Sequence, residues 1–196
     1  MTAATNATEP AIGNKTNTLK WDFLDIVFLS NAIAAALGRN KTYAPTRTQQ
    51  ERDKNGETLR RDLSSAMVEL AAKYKVPVSE AEHRANLSAL GKRVTEKCGS
   101  FLEGEHLRRG AAQKAFNLYL KFLWCACRIP TPPHCTIDST VIGKLPSECQ
   151  NCAWTQIDSE EEYLKIIEAA RQVAGSEPLA EWELREAMDV MRRGIR

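Results

Sequence analysis

From Glu105 to Cys127 the chain carries its densest run of apolar and aromatic residues, and at Ile129–His134 the segment IPTPPH brings three prolines that no helix can continue through. The run predicts a central buried helix, and the prolines predict a rigid extended connection leaving it. The other segments have the same helical character. Leu19, Phe23, Ile26, Val27, Ile33 and Leu37 fall near helical spacing, so a core-facing helix is expected from about Thr18 to Leu37, with Gly38 as its stop. A second helix is expected over Thr48–Tyr74, strongest from Leu59 through Leu63, Met67, Leu70 and Ala71, with Gly56 as a break. Ser79 and Glu82 have capping-box spacing and open a third helix to about Leu102, whose seam is Ala81, Leu87, Leu90, Val94 and Cys98. Asp138 is placed to cap a short helix to about Leu145. Ser159 and Glu162 open another helix to Ala174, and the last runs from Pro178 to Arg193. Strand-like alternation and internal repeats are missing. The expected fold is all-α, with about seven helices.

At 196 residues, one domain over 19–196 accommodates these helices, either as a single body or as two helical lobes with a cleft between them. Residues 1–18, rich in Thr, Ala and Asn, read as a disordered leader rather than an export signal. The most apolar stretch, Phe28–Leu37, falls well short of the roughly 18 residues a membrane span needs. A cytoplasmic location is therefore expected, with the six cysteines reduced. The net charge of +2 divides into +7 over residues 1–130 and −5 over 131–196, which permits a basic face toward an anionic partner such as nucleic acid.

The chemistry-bearing residues concentrate between Arg108 and Lys144. Gly110 opens a helix, Lys114 follows four residues later, Asn117 three after that, and beyond the proline loop comes Ile137-Asp138-Ser139-Thr140-Val141. This arrangement resembles the helix-hairpin-helix DNA glycosylase superfamily, which contains the endonuclease III-like and 8-oxoguanine glycosylases, including an archaeal branch. Gly110 and Lys114 match the family's Gly-x-x-x-Lys helix opening, and Ile137, Asp138, Ser139 and Val141 match the segment that carries its catalytic Asp. The resemblance covers about 35 residues. It implies a DNA glycosylase, with or without abasic-site lyase activity, in which Asp138 stabilises positive charge developing on the sugar. Lys114 is the amine that could attack C1′ and form a Schiff base. DNA contacts are expected from Arg108, Arg109, Gly110, Gln113, Asn117, Lys121 and Arg128, and pocket walls from Phe116, Phe122 or Trp124. The family's C-terminal four-cysteine iron–sulfur pattern is missing, so no cofactor is expected.

Plainer readings stand beside these. Asp138 can be a helix cap alone, and Lys114 with Asn117 and Lys121 makes a polar stripe that fits an exposed face as well as a site. Gln113 and Asn117 are ordinary on the outside of a helix. His134 can be a metal ligand, a proton carrier or a loop residue. Cys149-x-x-Cys152 has half of a zinc spacing, with Cys135, His134, Cys125 and Cys127 in reserve, but no second pair completes it, and no metal is expected. Trp154, Tyr163 and Trp182 read as core. Because the family hairpin is reduced here to LEGEHLRRGAAQK, the competing function is a non-catalytic helical module that binds DNA or a protein partner in a bacterial repair or defence system.

Overall fold

A computed structural model describes residues 12–38, 42–45 and 48–195 of the chain. Eight α-helices are present among them: α1 (Ile12–Leu37), α2 (Gln49–Ala71), α3 (Glu80–Cys98), α4 (Arg109–Cys125), the one-turn α5 (Ser139–Ile142) and α6 (Ser147–Gln150), α7 (Glu160–Ala174) and α8 (Leu179–Ile195). The described residues contain no strand, only one isolated bridge between Tyr43 and Leu102. The all-α expectation holds, and no described helix is long and apolar enough to cross a membrane.

The capping boxes at Ser79/Glu82 and Ser159/Glu162 form as the spacing predicts, and a third forms at Thr48/Glu51. Each one satisfies free amides at a helix start and fixes where that helix begins. Helix α4 starts at Arg109, later than expected, because Gly104 and Glu105 both take left-handed backbone angles that interrupt the turn before it. Its far end closes in a Schellman motif, with Arg128 N–H donating to the Leu123 carbonyl and Cys127 N–H to that of Trp124. Cys127 occupies the left-handed position at φ 57°.

Helix α4 is the axis of the molecule and packs against α1, α2, α3 and α7. Every residue from Arg109 to Leu120 is buried. Trp154, Tyr163 and Trp182 belong to the same core. Helices α1 and α4 run antiparallel, since Trp21 and Asp25 meet Arg128 while Phe28 stacks on Phe122 with ring centroids 5.4 Å apart.

The structure differs from expectation in three further respects. Helix α1 begins by Ile12, so residues 12–18 of the expected leader are helical, and the rest of that leader lies outside the described residues. Helix α2 runs unbroken through Gly56. In α3, Ala81 is exposed, and the seam is completed by the buried His83 and Asn86. Helix α1 also corrects the expected core, because Leu19, Phe23 and Ile26 are 69%, 64% and 63% exposed. Trp21, Asp25, Phe28 and Ala32 recur at i, i+4, i+7 and i+11 and form the side turned to α4, so the 19/23/26 stripe faces the other way.

Candidate active-site cleft

Three polar side chains of α4 hold the extended segment that follows the proline loop. Gln113 clamps the backbone of Ile137, its Nε2 donating to the carbonyl at 2.7 Å and its Oε1 accepting from the amide at 3.0 Å. Asn117 Nδ2 donates to the Cys135 carbonyl at 2.8 Å and to Tyr163 Oη at 3.2 Å. Between them in sequence, Lys114 Nζ donates to Asp138 Oδ2 at 2.6 Å. The other carboxylate oxygen, Oδ1, accepts from the amides of Thr140 at 2.9 Å and Val141 at 3.1 Å, capping α5. Capping and pairing thus coexist in one side chain. Burial pushes the Asp138 carboxyl upward, but the Lys114 ammonium and the two amides outweigh it and hold the group below the usual carboxylate range.

Gly110 is the contact that seats this end of α4. Its amide donates to the Ile157 carbonyl at 2.7 Å, and a Cβ there would lie 2.0 Å from the Trp154 carbonyl oxygen. Trp154 in turn places its ring 5.8 Å from Lys114 Nζ.

Lys114 and Asp138 open onto a cleft of about 460 Å³ between α1, α4 and α8. Its walls are apolar, with Ala35, Leu118, Phe122, Leu184, Ala187 and Met188 among them. A second ion pair lies in the same cleft: Lys121 Nζ meets Glu183 Oε1 of α8 at 2.8 Å. Burial is the main cause that raises the Glu183 carboxyl above its ordinary range, with Lys121 opposing and Asp138 adding to the rise. The sequence reading missed Glu183, although an acidic residue in the apolar stripe Leu179, Glu183, Ala187, Val190 was the available signal.

The structure joins Lys114 to Asp138 and does not gather the expected DNA contacts on one face. Gln113 and Asn117 are interior rather than exposed, and their amides are committed to backbone. Arg109 is buried, donating to Ser88 Oγ at 3.1 Å, pairing with Glu160 at 3.1 Å and lying over the Tyr163 ring. Gly110 is sealed against residues 154–157. These four are closed to a phosphate backbone as they stand. Arg128, beyond the end of α4, pairs with Asp25 and lies over Trp21. Arg108 is half-buried at the start of α4, and Lys121 lines the cleft. Of the expected walls, Phe122 lines the cleft, Phe116 is fully buried in the core, and Trp124 borders a neighbouring groove with Leu184 and Met188.

His134 lies in the proline loop and is buried against the core. Tyr163 Oη accepts from Asn117 and shares a hydrogen bond of 2.8 Å with His134 Nδ1, and the His134 ring packs edge-on against that of His83 with centroids 4.6 Å apart. On the far side of this pair, Tyr74 Oη bonds His83 Nδ1 at 2.8 Å and Asn86 Nδ2 at 3.3 Å. All six cysteines are free thiols, and the described residues include no group of three or more His, Cys, Asp or Glu placed to hold a metal.

Comparison of the chain with known protein families, with curated proteins and with solved structures gave no match.

Proposed function

We propose that this cleft is the active site of a DNA glycosylase with lyase capacity, acting on a base turned out of the helical stack. The observation that carries the reading is the Lys114–Asp138 pair, an amine and a carboxylate fixed 2.6 Å apart on the floor of an apolar cleft. The volume lies within the ~300–1,000 Å³ typical of small-ligand sites, and the walls suit the faces of a flat ring. In this mechanism Lys114 gives its proton to Asp138, and its Nζ attacks the sugar C1′. The Nζ–C1′ bond forms as the bond from C1′ to the base breaks, the electron pair leaving on the base nitrogen, which then takes the proton. Asp138, held by two amides, is neutral while it carries that proton and regains its charge as the base takes it, so that its carboxylate offsets the positive charge left on the sugar–Nζ adduct. Opening of the sugar ring leaves an imine on Lys114.

Duplexes carrying abasic, oxidised or alkylated sites, incubated with the protein and borohydride, test the chemistry. A covalent adduct is expected with the wild type, none with Lys114→Met, and cleavage at least a hundredfold slower with Asp138→Asn. Absence of both cleavage and adduct, or full activity in Asp138→Asn, overturns the assignment.

A second reading, a non-catalytic module for DNA or a protein partner, draws support from the burial of Arg109, Gln113 and Asn117 and from the exposed Leu19/Phe23/Ile26 stripe. DNA binding that weakens steeply with salt yet survives loss of both Lys114 and Asp138 would favour it.

A further inference from the structure

The Lys121–Glu183 pair has no part in the bond-breaking chemistry proposed above. Glu183 projects from the apolar stripe of α8 and is only 3% exposed. A leucine would pack there without the cost of taking a carboxylate out of water. One of its oxygens, Oε1, takes the Lys121 ammonium, while Oε2 is shut off from water and has no hydrogen-bond partner among the described residues. Buried acceptors left unpaired are uncommon and call for a reason.

Geometry supplies one. Lys114 and Lys121 are seven residues apart on the same side of α4, a separation of about 10 Å along the axis. That span fits the roughly 5 Å from a sugar C1′ to the pairing edge of its base together with a contact of about 3 Å at each end. Leu118 stands between the two lysines, and Leu118, Phe122, Leu184 and Ala187 line the space between the two ion pairs. A carboxylate beside an ammonium presents an acceptor next to a donor. The complementary partner is a planar edge with an N–H next to a carbonyl or ring nitrogen, which is the pairing edge of a nucleobase.

We propose that Glu183 and Lys121 read the pairing edge of the base whose sugar lies at Lys114 and Asp138, Glu183 accepting its N–H and Lys121 donating to the neighbouring acceptor. The assignment rests on the active-site reading above for the nature of the ligand. The carboxylate reaches the base by turning on its terminal bond, a torsion with broad preferences.

The test is direct binding, independent of turnover. The four 2′-deoxynucleosides, together with N3-methylthymidine and N1-methyldeoxyguanosine, are titrated into the full chain and followed by NMR shifts. Replacing both partners, Lys121→Met with Glu183→Leu, removes the edge reader without leaving a buried charge unpaired. At least one nucleoside is expected to saturate the wild type. Its affinity should fall at least tenfold in the double variant, and among thymidine and deoxyguanosine the edge-methylated form should bind wild type at least tenfold more weakly than its parent. If no nucleoside saturates the wild type, or the double variant binds as tightly, or edge methylation changes nothing, the proposal fails. Edge-dependent binding without any borohydride adduct would leave this inference standing and remove the glycosylase chemistry. An adduct with edge-blind binding would do the reverse.

Discussion

A methyl group at Gly110 would sit 2.0 Å from the Trp154 carbonyl oxygen and 3.3 Å from that of Ile157, both backbone atoms that cannot swing aside. Gly110→Ala must therefore push the 154–157 turn off α4, at a cost of about 3 kcal/mol, near the upper end for an inserted methyl. Urea titration should show the loss, and Trp154, moved from Lys114, should report it in fluorescence; a midpoint unchanged from wild type would refute the argument. At Cys127 the opposite change is favourable. That residue closes α4 in the left-handed region, at φ 57°, where a side chain costs about 1 kcal/mol and glycine nothing. Cys127→Gly should raise stability by about that amount, and a decrease on urea titration would count against it. The sequence showed that Gly110 and Lys114 belong together at a helix start. It could not show why the glycine is there, because the atoms that exclude a side chain lie more than forty residues downstream.

Among the elements, the helix starts that carry a capping box were the most legible part of the chain. Ser79/Glu82 and Ser159/Glu162 carry their structural instruction within four residues, as does Thr48/Glu51, since a cap is satisfied locally. Faces were less legible. Helix α1 has apolar residues on two sides, and spacing alone does not say which side meets α4. On α4 the polar residues look like a solvent stripe until the Cys135–Asp138 segment is laid along them, a pairing between positions 18 to 24 residues apart. That segment depends on Gln113. Gln113→Ala would leave the Ile137 amide and carbonyl buried without their clamp, two groups at ~1–3 kcal/mol each, so a loss of about 3 kcal/mol is expected. Borohydride trapping should also slow, because the backbone that carries Asp138 is no longer fixed. Unchanged stability would show that Ile137 finds other partners. Ser159→Ala, which removes only a cap, should cost about 1 kcal/mol and leave trapping untouched.

The whole molecule is tied together by a polar chain that crosses its core. Lys73 bonds Asn86, Asn86 bonds Tyr74, Tyr74 bonds His83, His83 packs on His134, and Tyr163 links His134 to Asn117 on α4. Elements α3, α4, α7 and the proline loop thus meet at two imidazoles, neither of which can accept a second proton without breaking this packing. Burial above all, with Arg109 adding to it, holds His83 down at about 3. Burial again leads for His134, followed by His83 and then Arg171, and holds it at about 2. In the unfolded chain both would titrate near ~6.5, so below that pH the unfolded state binds more protons and is favoured. Their contribution is complete above pH 6.5 and is lost as the pH falls toward the folded values. Taken alone, the pair removes about 4 kcal/mol between pH 7 and pH 5. Glu183 acts in the opposite direction, since its raised carboxyl keeps its proton to higher pH when folded and so favours the folded state as pH falls. His106, raised by Asp158, does likewise, but it is 41% exposed at the side chain and its share is screened. Asp138, held low, begins to lose its contribution as the pH falls into the ordinary carboxylate range, where the unfolded chain takes up the proton. The net expectation is a lower urea midpoint at pH 5 than at pH 7, the fall growing steeper below pH 6.5 as the unfolded imidazoles fill with protons. A midpoint that stays level or rises over that interval would mean that the two imidazoles take up protons in the folded protein and that the core chain does not hold them neutral.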